Sequence, residues 1–292
     1  MTQNLYPFDH AVISVRAQID DAARRFTSLG FRVTPRGYHT LGSINHLIVF
    51  GTTYVELLGF PADNPGVRAD LRDAPLGLNG LVFRTEDASK TRDETLARNA
   101  PMSEAQQFSR PVDLADEWQT PSVDSSHWPD AVFRTVRAAA TFNSSGRLYF
   151  CQHLTPQLVW RDAWRAHPNG VVEIESIRVF TTDLAATAAK YRQLLGDDAV
   201  SGHDGGKKVI VHAAPLRIEL RAADIDRMQG LRLRVADLAT TMRTLDEGGV
   251  PFAKQTRKAL RDDGLVKKGE VLLESIQVAP EHAGNVALEF NA

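Results

Sequence analysis

The residues able to do chemistry fall into two groups by their surroundings. His10 opens the apolar run HAVISV, His46 lies in NHLIVFG with His39 just upstream, and His153 follows LYFCQ. An imidazole in such a place can hold a metal or move a proton near neutral pH. His127, His167, His203, His212 and His282 stand among Gly, Pro or Asp neighbours, and none has metal-ligand spacing to another. Arg110 in FSRPV, with Arg134 and Arg137 in FRTVR, could clamp a carboxylate or phenolate through charge-assisted bonds, although strand arginines commonly face solvent. Tyr54 and Tyr149 sit in strand-like runs where a phenol could orient a substrate or simply pack. No Gly-rich phosphate loop and no Gly-x-Ser-x-Gly elbow occurs, so neither a nucleotide cofactor nor an α/β-hydrolase serine is indicated.

The elements that must position these residues repeat. HAVISV (10–15) leads into DDAARRFTSLG (20–30), whose Ala22, Ala23, Phe26 and Leu29 keep helical spacing, with Asp20 as a cap and Gly30 as a stop. FRVTPRG, NHLIVFG and TYVELLG then read as three strands, giving a βαβββ unit. The unit recurs at 174–221 and at 229–290, ending its helices at Gly196 and at Gly248–Gly249. It recurs less cleanly at 79–155, with a polar helix from about Asp87 and a long irregular loop over Leu114–Pro129. Paired in sequence, the four units predict two domains, 1–163 and 171–292, joined at WRAHPNG (164–170).

Composition agrees with an ordinary globular protein. Of 292 residues, 43% are hydrophobic and 24% charged, and 34 Lys+Arg against 36 Asp+Glu leave a net charge of −2. That balance argues against nucleic acid or an anionic membrane as partner. No apolar stretch approaches a membrane span, and the first residues lack a signal-peptide pattern. The single cysteine, Cys151, excludes an internal disulfide and suits a reducing, cytoplasmic setting.

Tandem βαβββ units with an acidic residue in a closing strand resemble the vicinal oxygen chelate superfamily, which includes glyoxalase I, extradiol dioxygenases and antibiotic-resistance proteins. DHAVISV through HTLGSINHLIVFGTTYVELLGF most resembles its glyoxalase-like family. The resemblance implies an α+β fold of four modules paired into two cup-shaped sheets, with metal ligands on the first and last strands of each module. Under that rule the first-strand corners are His10, Asn79, Glu175 and Gln229, and the last-strand corners are Glu56, His153, Glu219 and Glu289. His10, Glu56 and His153 would then hold a divalent ion, Fe(II), Mn or Zn, as two imidazoles and one carboxylate do in non-haem iron enzymes. His10 and Glu56 bonded to each other across a sheet is the plainer alternative.

Around that ion, His46 is the expected base, unless it is a satisfied core side chain, and Arg110, Tyr54, His39 and Asn79 are the expected substrate contacts. The second cup, with three glutamates and a glutamine, would suit a hard ion, or be a worn duplicate whose glutamates pair with Arg217, Arg232 or Arg234. The function implied is a metal-dependent enzyme binding a small substrate through adjacent oxygens. Ring-cleaving dioxygenase and glyoxalase-type lyase or isomerase both remain open, as does a non-catalytic binding protein, working as monomer or homodimer.

Overall fold

The computed structural model describes residues 6–63, 68–120, 124–203, 207–261 and 269–292. Each half of the chain builds one eight-stranded sheet. The first comprises β1 (Phe8–Arg16), β2 (Gly37–Tyr38), β3 (Ile44–Val49), β4 (Tyr54–Gly59), β5 (Gly77–Arg84), β6 (Gln106–Pro111), β7 (Asp130–Arg137) and β8 (Arg147–His153), in the order β2-β3-β4-β1-β5-β8-β7-β6. The second comprises β9 (Val171–Thr181), β10 (Val200–His203), β11 (Lys208–Ala213), β12 (Leu216–Ala222), β13 (Arg227–Val235), β14 (Ala253–Arg261), β15 (Gly269–Val278) and β16 (Ala287–Asn291), in the matching order β10-β11-β12-β9-β13-β16-β15-β14. In each sheet two modules meet where their first strands run antiparallel, β1 on β5 and β9 on β13. The architecture is α+β, two eight-stranded sheets of two paired modules each. The first sheet curls far enough for its ends to touch: the Thr40 amide donates to the Ser109 carbonyl beside β6 at 2.9 Å.

Four helices follow the first strands of the modules: α1 (Ile19–Ser28), α3 (Ala88–Ala97), α4 (Leu184–Leu195) and α5 (Leu238–Glu247); the single-turn α2 (Ala69–Arg72) lies between β4 and β5. Asp87, Asp183 and Asp237 cap α3, α4 and α5 by accepting backbone N–H bonds. In α1 the N-cap is Gln18, without a side-chain bond, and Asp20 sits inside the first turn instead. FRVTPRG contributes only Gly37 to a strand; Phe31 and Val33 are buried but hydrogen-bonded as an irregular segment. The 114–129 loop carries one 3-10 turn, Ser125–His127, and its residues 121–123 lie outside the described residues.

One hydrophobic core runs through both halves, because the helix-side faces of both sheets share it: Phe26, Phe31 and Phe83 cluster with Tyr191, Leu245 and Phe290. The joint at 164–170 is packed, not loose. Trp164 and Asn169 are fully buried; Asn169 Nδ2 donates to the Leu29 carbonyl at 2.9 Å, and the Arg32 amide donates to His167 Nδ1 at 3.0 Å. A second, smaller core lines the concave face of the first sheet, with Val12, Leu47, Tyr54, Val82, Phe133, Tyr149 and Cys151. That alternation along the strands sets which side chains enter the cup.

Candidate functional site

The cup of the first sheet encloses a cavity of about 210 Å³ lined by His10, Tyr54, Glu56, His39, Arg110 and Tyr149, among others. Strand register explains who faces it. One row across the sheet pairs Tyr54 with His10, His10 with Val82, and Val82 with Tyr149. The next pairs Glu56 with Val12, Val12 with Gly80, and Gly80 with Arg147. Across the cup from Glu56 therefore stands Arg147, not His153.

A β-bulge at the start of β1 adds the residue that organises the site. Phe8 pairs with Phe83 and His10 with Val82, so Asp9 is the extra residue between them. It is 0% exposed. Its Oδ2 accepts from His10 Nδ1 at 2.7 Å and from His153 Nε2 at 2.8 Å, and its Oδ1 accepts from Arg84 Nε at 2.8 Å. Burial opposes the charge on Asp9, but the two imidazoles outweigh it and hold the carboxyl below the usual carboxylate range. An ionised carboxylate only accepts, so both histidines keep their protons on the nitrogens facing Asp9. The other ring nitrogen of His10, Nε2, is turned toward Glu56, 3.8 Å from its Oε2. Asn45 Nδ2 donates to Glu56 Oε1 at 2.7 Å, fixing the other end of that carboxylate. The His10 ring also stacks on Tyr54, 4.2 Å between centroids.

The sequence-expected residues divide accordingly. His10, Glu56, Tyr54, His39 and Arg110 share the cavity wall. His153 is on the concave face but spends Nε2 on Asp9, with Trp160 beside it at 4.7 Å. Among the described residues, the group of ligand atoms lying within 4.8 Å of one another is Asp9, Cys151 and His153, so the expected set of His10, Glu56 and His153 is not assembled as one triad. The reason is level: His153 pairs with Phe133 beyond the Asp9 end of the cup, while Glu56 lies toward its middle. His46 is corrected outright. In β3 Asn45 and Leu47 face the cup, so His46 faces the helices, its Nδ1 on the Thr34 carbonyl at 2.7 Å and its ring edge-on to Trp118. Burial lowers its pKa to about 4. Asn79 also leaves the cup: it occupies a bulge in β5 and lines a groove between the two halves together with Gln229.

His39 is the imidazole that lines the cavity near strand β3. Its Nδ1 lies 2.9 Å from Ser43 Oγ, and burial, only partly opposed by Glu56, lowers its pKa to about 4, so it is neutral at pH 7. Burial likewise keeps the Tyr54 and Tyr149 phenols and the Cys151 thiol protonated. Residues missed in the sequence are Asp9, Arg68, Asp70 and Arg147. Arg147 was legible: it shares period-2 spacing with Tyr149, Cys151 and His153, so a strand that points His153 inward points Arg147 inward too.

The second cup is built differently. Glu219 pairs with Arg221 at 2.8 Å and Glu289 with Arg232 at 3.2 Å and Arg178 at 3.3 Å, while Arg217 holds Glu175 at 2.7 Å. Arg234 pairs with Glu173 at 2.7 Å instead of a corner glutamate. These carboxylates are already neutralised by guanidiniums.

For a divalent ion, two donor sets differ in fit. Asp9, Cys151 and His153 combine O, S and N donors suited to borderline ions, but Asp9 is already engaged by three nitrogen donors and Cys151 stays a thiol. His10 Nε2 and Glu56 Oε2 make no hydrogen bond within the protein, and each side chain is oriented from behind by Asp9 or Asn45, as carboxylate-backed histidine ligands are. Their 3.8 Å spacing is one that bonds of about 2.0–2.2 Å to a shared ion can bridge.

Comparison with known proteins follows the same line. The chain is similar to three solved structures: a hypothetical protein from Staphylococcus aureus (TM-score 0.65, 11% identity, 98% of this chain and 99% of that one); a mutant of 4-hydroxymandelate synthase from Streptomyces coelicolor (0.60, 17%, 98% and 92%); and a xylose isomerase-like TIM barrel/4-hydroxyphenylpyruvate dioxygenase fusion protein (0.60, 13%, 97% and 48%). At these identities the likeness is one of fold. No curated protein matches the chain. No described helix is long and apolar enough to cross a membrane. The family model of the glyoxalase-like domain matches residues 8–195, and the chain belongs to that family.

Proposed function

We propose that the first cup is the active site of a vicinal oxygen chelate enzyme that acts on a small organic substrate with the help of a divalent ion held by His10 Nε2 and Glu56 Oε2. The observation carrying this reading is that pair of ligand atoms, each side chain oriented from behind, at the wall of the cavity. When bound, the ion acts as a Lewis acid on substrate oxygens. The chain's own groups do the rest. His39, neutral and lining the cavity, exchanges a proton through Nε2, the part expected of His46 from sequence. Tyr54 and Tyr149, held as phenols, donate hydrogen bonds to substrate oxygens, and Phe108 and Phe133, stacked 5.4 Å apart, exclude water.

Between the two reaction classes the site favours a glyoxalase-type lyase or isomerase. One imidazole and one carboxylate converge there, whereas the dioxygen-activating triad needs two imidazoles and a carboxylate. Binding without turnover is the second reading, favoured by the unpaired guanidinium groups of the cavity, which would hold a ligand with no ion present.

Metal analysis of chelator-free protein tests the proposal. About one equivalent of a transition metal is expected in the wild type and in His153→Gln, and its loss in His10→Gln and Glu56→Gln. Loss in His153→Gln alone would move the ion to the Asp9–Cys151–His153 group. No metal in any protein after reconstitution would overturn the ion and leave the binding reading.

A further inference from the structure

The walls of the cavity carry more positive charge than the protein neutralises. Arg68, Arg110, Arg137 and Arg147 line it against only two carboxylates, Glu56 and Asp70. Arg110 is 3% exposed, yet its Nε and Nη2 have no hydrogen-bond partner. A buried arginine stays charged, and leaving its N–H groups unpaired costs stability, so such a group is retained where an anion completes it. Gly37 makes room for it: a Cβ there would stand 2.7 Å from Arg110 Cδ and 2.4 Å from Asn45 Oδ1. Arg110 therefore lies on the same wall as the Asn45–Glu56 pair.

A second cationic cluster lines the same cavity. Asp70 is shared among Arg68 at 3.0 Å, Arg147 at 3.8 Å and Arg137 at 4.0 Å, and Arg137 Nε and Arg147 Nη2 remain buried and unpartnered. Arg147 faces Glu56 across the sheet through Val12 and Gly80. The rings of Phe108, Phe133 and Tyr149 line the same cavity, whose space suits roughly a one-ring compound.

We infer that the substrate is a small dicarboxylate with a flat apolar body, one carboxylate held by Arg110 and the other by Arg137 and Arg147. The inference rests on the first cup being the binding site, and it names the substrate class for that site.

Thermal-shift and calorimetric titration with benzoate, the three benzenedicarboxylates and their neutral diamides tests it. At least one dicarboxylate should bind more tightly than benzoate, and its diamide should not bind. Arg110→Met and Arg147→Met should each weaken that dicarboxylate roughly tenfold to hundredfold, down to the benzoate level. Repeating the titrations on chelator-treated protein should leave the acid-over-diamide preference and its dependence on Arg110 and Arg147 in place, so loss of the ion and loss of the anion site read out separately. Equal binding of diamide and acid, no binding of any acid at millimolar concentration, or wild-type affinity in a folded Arg110→Met protein overturns the inference. So does binding lost in chelator-treated protein while the arginine variants retain it, since the ion would then be the anchor.

Discussion

The two cups share a strand order and differ in what their charged groups face. In the second, every corner glutamate meets an arginine, so Glu219, Glu289 and Glu175 are spent within the protein. In the first, Asp9 is shared by His10, His153 and Arg84, Asp70 by three arginines, and Glu56 meets the Asn45 amide, while Arg110 is left unpaired in the wall. A duplicated sheet can thus be inert or reactive according to whether its buried charges are matched to each other or left for a ligand. The difference lies in the partners, since acidic residues stand at closing-strand corners of both.

The largest effect should come from the hub of the first cup. Asp9→Asn removes the buried charge that Arg84, His10 and His153 all face, and should cost about 3–5 kcal/mol in urea denaturation. Glu219→Gln, whose partners Arg217 and Arg221 are near half exposed, should cost about 1–2 kcal/mol. Equal costs would erase the contrast.

Acid should loosen the first half. Burial lowers the pKa of His167 to about 4 in the folded chain against 6.5 in the unfolded one. Between pH 6.5 and 4 only the unfolded state takes up that proton, so stability is present above pH 6.5 and falls as pH drops, by roughly 2–3 kcal/mol for this one residue. His46 adds a similar slope for the same reason. All four tryptophans, Trp118, Trp128, Trp160 and Trp164, lie in this half, so the denaturation midpoint followed by their fluorescence reports the loss. His167→Gln should flatten the profile; an unchanged slope would remove His167 from the account.

Arginine removal should have opposite signs in the two cups. Arg110→Met deletes an unpaired buried charge and should stabilise the ligand-free protein by about 1–2 kcal/mol. Arg232→Met leaves Glu289 with Arg178 alone and should destabilise by about 1 kcal/mol, both read from denaturation midpoints. The smallest effect concerns the modules themselves: Asp183→Ala should cost about 1 kcal/mol through loss of the α4 cap, whereas Gln18→Ala, at a position with no side-chain cap bond, should be near neutral.

Sequence periodicity carried the βαβββ repeat because apolar residues at i, i+3 and i+4 in the helices, and at alternate strand positions, are local properties. The corner rule implied by the family resemblance brought Glu56 and His10 to one cup, and both line the cavity. It failed for His46, whose run NHLIVF is buried on both faces, so no polar alternation marks which side is the cup. FRVTPRG looked strand-like from its β-branched residues, but a proline and packing against the shared core left it irregular.

By itself, then, the sequence determined the four modules, their pairing into two sheets, and the residue types available at each corner, all consequences of spacing along one chain. Tertiary structure decided which corners are spent within the protein and which face the cavity. A bulge inserted Asp9 between His10 and His153, strand register put Arg147 opposite Glu56, and closure of β6 onto the opposite edge carried Arg110 into the cup. Those depend on strands far apart in sequence meeting at a particular level, and a slip of one residue would turn each side chain to the other face.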